Sequence, residues 1–395
     1  MTALSTFLRK TPGEALRDYF DRPEIGLPAG FDWSLPETEL PRPLLGAIEE
    51  MTRSQRDRIS NDAERVNALA DEAGQAAIYS VAENPAVLDG LSNAHARALW
   101  MFLNAPERFR HAEEVRFTED RRRGRMWAGF MTEAGRAVRR EEGAIEAFVS
   151  ALKAFSGATH VHVDIFDRVR TTLEGDECDL VQVTIYREGR PDDLLRFDDK
   201  GSLVRQAYRP VFEAAVTYEA ATGGIEVVAG DRATRSEIVK ATVTHLLGIA
   251  FEENRLPLRC YDLSVLLSHH EFPVDPEDGI EAVEVRELRV MPIDDSDFRV
   301  TLEKPARADE TIWMKAEERF GDRTPLSDAY VATRARIAVK LARRPGSGRR
   351  RTLSFTVTWP HGCDLKDRTA TEQLIGEKYL RRWGILVDDP QLFED

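Results

Sequence analysis

Cysteine is scarce. Cys178, Cys260 and Cys363 are odd in number and far apart, which excludes a disulfide framework as the source of stability. Long apolar runs are missing as well: no stretch approaches the roughly eighteen residues that a membrane-spanning helix needs, so no membrane partner is expected. The opening "MTALSTFLRKTPGEALRDYF" has no apolar h-region and no small-residue cleavage site, so it is not expected to act as a secretory signal. GxSxG, P-loop, dinucleotide-binding and HExxH patterns are all absent. Serine-hydrolase, NTPase and dehydrogenase chemistry therefore lack support, and no cofactor is expected. Taken together these absences predict a cytoplasmic protein.

Lysine is also rare, with 9 lysines against 46 arginines among 55 basic residues. Arginine suits planar bidentate partners better than lysine does, yet such a bias also follows from coding composition, so only local arginine clusters carry information. The net charge of −14 disfavours indiscriminate phosphate binding. What is present is ordinary globular material: 395 residues, 42% hydrophobic and 31% charged, enough for two or three domains with a sizeable core.

Periodicity divides the chain into three regions. Residues 1–155 read as helical, with Leu44, Ile48, Met51, Ile59, Val66, Leu69, Ala73 and Ala77 near helical spacing after Pro43, and with a break expected near Ser60-Asn61. Further helices are expected over "NAHARALWMFLN" and "EEGAIEAFVSALKAF", and irregular proline-rich chain over 23–43. Over 156–267 the period changes to two, in short strands bounded by Gly, Asp and Pro that predict an antiparallel meander, with "ATGG" at 221–224 as a hairpin turn. Thr234 and Glu237 form a capping-box pattern before "IVKATVTHLLG". After a Pro/Asp-rich connector, residues 280–395 repeat strand-strand-helix twice and close on a helix capped by Thr369 and Glu372 and stopped at Gly384. The fold class is α+β: a helical N-terminal region followed by two antiparallel-sheet modules, each partly covered by helices.

Two stretches carry chemistry. In "THVHVDIFD", His160, His162 and Asp164 alternate with Val161, Val163 and Ile165, so the three ligand-type side chains share one strand face. Imidazole and carboxylate suit zinc or iron, which makes a metal-dependent hydrolase or nuclease one reading. The competing reading is a polar sheet face. If neighbouring strands pair in order, Gln182, Thr184, Tyr186 and Arg196 would extend that face. The nearby "RPDDLLRFDDK" imitates a PD-(D/E)xK nuclease, but Asp192 and Asp198 are too close in sequence for two strands and a turn, so the match is taken as accidental.

The second stretch is "DAYVATRARIAVKLARRPGSGRRRTLSFTVTW". Val331, Ala335, Ile337, Val339 and Leu341 alternate with Arg334, Arg336 and Lys340, and Leu353, Phe355, Val357 and Trp359 alternate with hydroxyl side chains. A hairpin with one buried face is expected. Its tip carries Arg343, Arg344, Arg349, Arg350 and Arg351, with Lys378, Arg381 and Arg382 of the last helix as an extension. Arginine clusters bind phosphate in bidentate fashion, so DNA or RNA is the leading expected partner of a non-catalytic binding protein. The bland alternative is a solvated charged loop. A weaker cluster holds Arg121, Arg122, Arg123 and Arg125, half neutralised by Glu119 and Asp120. A protein–protein adaptor acting through the helical N-terminal region is the other non-catalytic reading. Cys363, with His361 and Lys366 nearby, is a weak nucleophile candidate because either neighbour would lower the thiol pKa.

Overall fold

Capping side chains set the start of several N-terminal helices. The computed structural model describes residues 2–27, 31–122, 126–171, 177–197, 201–254, 260–295, 297–306, 310–342 and 351–387. Its first helices are α1 (Ala3–Lys10), α2 (Gly13–Phe20), α3 (Pro41–Glu49), α4 (Arg53–Leu69), α5 (Glu72–Val81), α6 (Pro85–Asp89), α7 (Ala94–Asn104) and α8 (Pro106–Arg122). The expected break at Ser60-Asn61 does not occur. Thr52 and Gln55 form a reciprocal capping box that starts α4, and Asp71 caps α5 through the Gly74 N–H. Two strong N-caps thus place the breaks before Arg53 and after Leu69. Ser60 and Asn61 ride inside α4 because Ile59, Ala63 and Val66 keep one continuous buried face.

The chain divides into two compact units, one over residues 1–170 and 177–255 and one over 256–395. In the first, β1 (Trp127–Met131), β2 (Val161–Thr171), β3 (Glu177–Glu188), β6 (Val211–Glu219) and β7 (Gly224–Val228) form an antiparallel sheet ordered β1-β7-β6-β3-β2. Between β3 and β6 the chain makes a separate ribbon of β4 (Asp192–Phe197) and β5 (Leu203–Tyr208). Arg196 therefore belongs to that ribbon and not to the sheet face anticipated from in-order pairing. The strand alternation sorts residues as expected otherwise. Val183, Ile185, Val216, Tyr218, Ile225 and Val227 form an apolar core with Phe148 and Leu152 of α9 (Glu142–Ser156) and Ile238 and Val239 of α10 (Arg232–Ala241). Val161, Val163 and Ile165 pack against that same core. Asp231, not Thr234, caps α10: its carboxylate accepts the Thr234 N–H at 2.8 Å, so the helix starts a turn earlier than the Thr234/Glu237 pattern implied.

The second unit carries the sheet β10-β9-β11-β12-β13, built from β9 (Ile280–Pro292), β10 (Val300–Glu303), β11 (Tyr330–Leu341), β12 (Arg351–Thr358) and β13 (Gly362–Cys363). A two-stranded pair of β8 (Cys260–Tyr261) and β14 (Leu386–Val387) accompanies it. Leu288, Ile337, Phe355 and Val357 pack with Ile312 of α11 (Ile312–Phe320) and Tyr379, Leu380 and Trp383 around α12 (Ala370–Arg382). The Thr369/Glu372 capping box forms as the sequence indicates, and Gly384 has the left-handed φ of a helix stop. One detail of the β11 alternation differs. Register shifts on either side of Thr333 and at Arg336/Ile337 change the phase, so Ala332 is buried in place of Val331, and Ala338 is buried together with Ile337.

The α+β class is what the residues build, and among the described residues no helix is long and apolar enough to cross a membrane. The turn between β6 and β7 places Gly223 at φ +78°, where a Cβ would collide with the Thr132 carbonyl oxygen. Gly223→Ala should therefore lower stability by about 2 kcal/mol or more, measured as a reduced urea midpoint with an unchanged slope.

Candidate functional site

The helix α8 has two working faces, and their spacing explains both. Phe109, Ala112 and Val115 enter the core of the N-terminal helices. Arg110, Glu114, Thr118 and Arg122, at successive i,i+4 positions, face the sheet with His111 and Glu119 beside them. The sheet meets them with its polar side. Gln182 Nε2 donates to Thr118 Oγ1 at 3.1 Å, and Tyr186 Oη donates to Glu114 Oε1 at 2.8 Å. Arg168 Nη2 donates to Glu119 Oε1 at 2.8 Å and to Thr217 Oγ1 at 3.3 Å. Arg170 bridges Glu119 and Glu226, and Arg122 also holds Glu226 at 2.7 Å. The polar sheet face is thus a buried hydrogen-bonded layer, not a solvated one. Burial opposes the charge on Glu119, but Arg170, Arg168 and Arg122 outweigh it and hold the carboxyl well below the usual range.

Asp164 lies in this layer, while the two histidines expected with it do not. His160 is 80% exposed and its Nδ1 lies 3.1 Å from Glu188. His162 is exposed, with its ring 6.2 Å from that of Tyr186. Asp164 instead accepts from Arg110 Nη1 at 2.6 Å and lies 3.0 Å from His111 Nε2. Burial works against its ionisation, yet Arg110 and His111 keep the carboxyl below its ordinary range. His111, Glu114 and Asp164 bring their ligand-type atoms within 4.8 Å of one another. Neither His111 nor Glu114 is among the candidate residues named from the sequence. The available signal was H-x-x-E, which puts both side chains on one helix face, but α8 is too polar for its helical period to stand out.

Apart from Arg381, the basic residues singled out in the second unit are engaged in ion pairs wherever they are described. Arg336 pairs with Glu287, Arg334 lies 3.6 Å from the same carboxylate, and Lys340 pairs with Glu284. Arg351 pairs with Glu372 at 2.8 Å. Lys378 binds Asp275 and Asp278, and Arg382 binds Asp275. Arg381 also has an interaction. Arg343, Arg344, Arg349 and Arg350 lie outside the described residues, as do Arg123 and Arg125 of the weaker cluster. Of that cluster's remainder, Arg122 holds Glu226, and Arg121 sits over the Phe117 ring at 3.6 Å. Cys363 is not activated: burial pushes its thiol up to about 11, the opposite of what a nucleophile needs at neutral pH.

Among the described residues, exposed large apolar side chains cluster on the β4–β5 arm. β3 and β6 pair as far as Glu188 and Val211, and the arm pairs again from Asp192 and Tyr208. Between those pairs lie Arg190-Pro191 and Arg209-Pro210, one proline on each strand. Proline has no N–H for the ladder, so the hairpin changes course at this joint. Beyond it Leu195, Phe197 and Leu203 lie on one face of the arm, and Leu194, Val204 and Tyr208 on the other. Phe197 is 70% exposed, Leu203 61%, Leu195 52% and Leu194 48%, while Val211 and Phe212 at the base are 65% and 49% exposed. An open cleft of about 590 Å³ lies at that base, lined by Gly157, Arg187, Arg190, Pro191, Arg209 and Phe212 among others.

Glu213 sits across from Tyr186 in the buried layer, and burial followed by the neighbouring Glu114 pushes its carboxyl up to about 7, with Glu113 adding to the rise and Arg121 opposing it. A raised folded-state pKa stabilises the fold below the unfolded value, and that contribution is lost as pH climbs through about 7. Glu213→Gln should therefore leave stability unchanged near pH 5 and raise it near pH 8 by about 1–2 kcal/mol, a discounted figure for a partly exposed group. Urea unfolding at the two pH values, in buffer containing a chelator, checks this. The chain matches no protein-family model and none of the curated proteins.

Proposed function

We propose that this is a non-catalytic binding protein that docks a partner protein on the β4–β5 arm. The observation that carries the reading is a two-stranded ribbon exposing large apolar side chains on both faces. An isolated two-stranded ribbon is marginal in water, and folded chains rarely leave such side chains clustered and bare. Among the described residues β4 and β5 pair with each other alone, so each outer edge offers main-chain groups to an added strand. Leu194, Leu195, Phe197 and Leu203 would supply the apolar anchors, and the arginines at the base a polar rim.

A photo-crosslinking residue placed at Phe197 in the full chain tests this inside the cell. A covalent adduct to one defined polypeptide is expected, reduced about tenfold or more by Leu195→Lys with Leu203→Asp, a loss of at least 1.4 kcal/mol in binding. Those substitutions should leave stability within about 0.5 kcal/mol because the sites are exposed. Absence of any defined adduct, or an adduct indifferent to the two substitutions, contradicts the reading.

Nucleic acid is a second reading. Its support is the hairpin itself: β11 and β12 stay in register out to Leu341 and Arg351, and the nine intervening residues include Arg343, Arg344, Arg349 and Arg350. With Arg334, Arg336, Lys340, Arg351, Lys378 and Arg382 ion-paired internally, a phosphate footprint would rest on those four arginines, with Arg351 joining only by leaving Glu372. Arg349→Ala with Arg350→Ala and Arg351→Ala should then weaken binding to a short duplex and flatten its salt dependence by about 2–3 in slope. A slope unchanged by the triple substitution removes this reading.

A further inference from the structure

We propose that His111, Glu114 and Asp164 form a binding site for a divalent transition metal, with Arg110 as an internal cation that competes for it. Two elements deliver the ligands. His111 and Glu114 are three residues apart on α8 and so share a face, and Asp164 projects from β2 toward that face. Their ligand-type atoms lie within 4.8 Å of one another. Tetrahedral ligands at about 2.1 Å from zinc lie roughly 3.4 Å apart, so closure by at most about 1.4 Å brings the three to coordination distance and leaves a fourth position for water.

Two buried polar atoms of the cluster lack a hydrogen-bond partner among the described residues. Glu114 is 2% exposed, and its Oε2 is buried with no hydrogen-bond partner among the described residues. His111 Nδ1 is buried and without a partner in the same way. An unsatisfied buried carboxylate oxygen is costly, and native folds rarely retain one without a ligand or water. Two contacts already orient the ligands. The His111 ring stacks on Phe166 at 3.9 Å, which fixes its plane, and Tyr186 Oη donates to Glu114 Oε1 at 2.8 Å. Such contacts orient ligands and commonly change metal affinity about 10–100-fold when removed.

Charge favours a cation there. Arg110 Nη1 contacts both Asp164 Oδ2 and Glu114 Oε1, so one positive charge serves two carboxylates. The Arg110 side chain is 42% exposed and has room to turn toward solvent when an ion enters. One imidazole nitrogen and two carboxylate oxygens suit zinc, manganese or iron better than magnesium or calcium, which prefer oxygen alone.

The test uses the full chain, freed of metal, titrated with Zn²⁺ by calorimetry and with Co²⁺ by visible absorption. The wild-type chain should bind one equivalent of each ion. Arg110→Gln, which removes the competitor, should tighten binding about tenfold, and Asp164→Asn and His111→Gln should each weaken it by about tenfold or more. The paired substitutions His160→Gln and His162→Gln should leave affinity unchanged. Binding that is absent from both the wild type and folded Arg110→Gln overturns the proposal. So does binding that survives Asp164→Asn and His111→Gln but is lost with His160 and His162. Should Arg110→Gln not fold, the wild-type and Asp164→Asn titrations decide alone.

Discussion

Glu119 is a half-buried carboxylate placed against three guanidinium groups, and the polar layer of the first unit is organised around it. Arg168 and Arg170 reach it from β2, Arg122 approaches it along α8, and Arg122 and Arg170 meet again on Glu226 of β7. Losing the partner of Arg168, whose side chain is 2% exposed, costs about 3 kcal/mol, because the charge left behind has almost no solvent. The pairs also fix register. A helix sliding by one residue on an apolar face loses little, whereas here every displaced residue leaves a buried charge without a partner. The sheet therefore has two different buried faces: an apolar one beneath α9 and α10, and a polar one beneath α8.

That division determines which surfaces remain for function. Side chains that look like ligands or phosphate contacts in the sequence are largely spent on the protein's own charges. Asp164 is committed to Arg110 and His111, Arg334 and Arg336 to Glu287, and Lys378 to Asp275 and Asp278. A chain with 69 acidic and 55 basic residues has acids enough to neutralise most of its arginines in place. The unspent features are local: the apolar β4–β5 arm, and the buried polar pair of Glu114 Oε2 and His111 Nδ1.

Much of this was legible in the sequence, and the misses have physical causes. Period-two alternation oriented β2, β3 and the β11–β12 hairpin because their apolar residues enter cores on one side. The Thr369/Glu372 cap was readable since both partners lie within one turn. Helix α8 was not, because its sheet-facing positions are Arg, His, Glu and Thr, so burial there leaves no hydrophobic period. The fate of Arg336 and Lys340 was equally hidden: their acids, Glu287 and Glu284, sit on β9, and only the cross-strand register brings them together. The departure of the β4–β5 arm was written in the two Arg-Pro pairs, yet a proline pair reports a break in the ladder without saying where the chain goes next. The metal pattern in "HVHVD" misled for a related reason. Strand alternation places three side chains on one face, but the helix laid over that face selects Asp164 and leaves His160 and His162 at the exposed end.

The claim that most of this depends on is that α8 seals the polar face of the sheet through the Glu119 cluster. Hydrogen exchange of the α8 amides in the intact protein tests it directly. The account predicts slow exchange from Phe109 to Thr118, comparable with β3 and β6, and a local acceleration of α8 in Glu119→Gln while α9 and α10 stay protected. Fast exchange along α8 in the unmodified chain, beside a protected sheet, would contradict it.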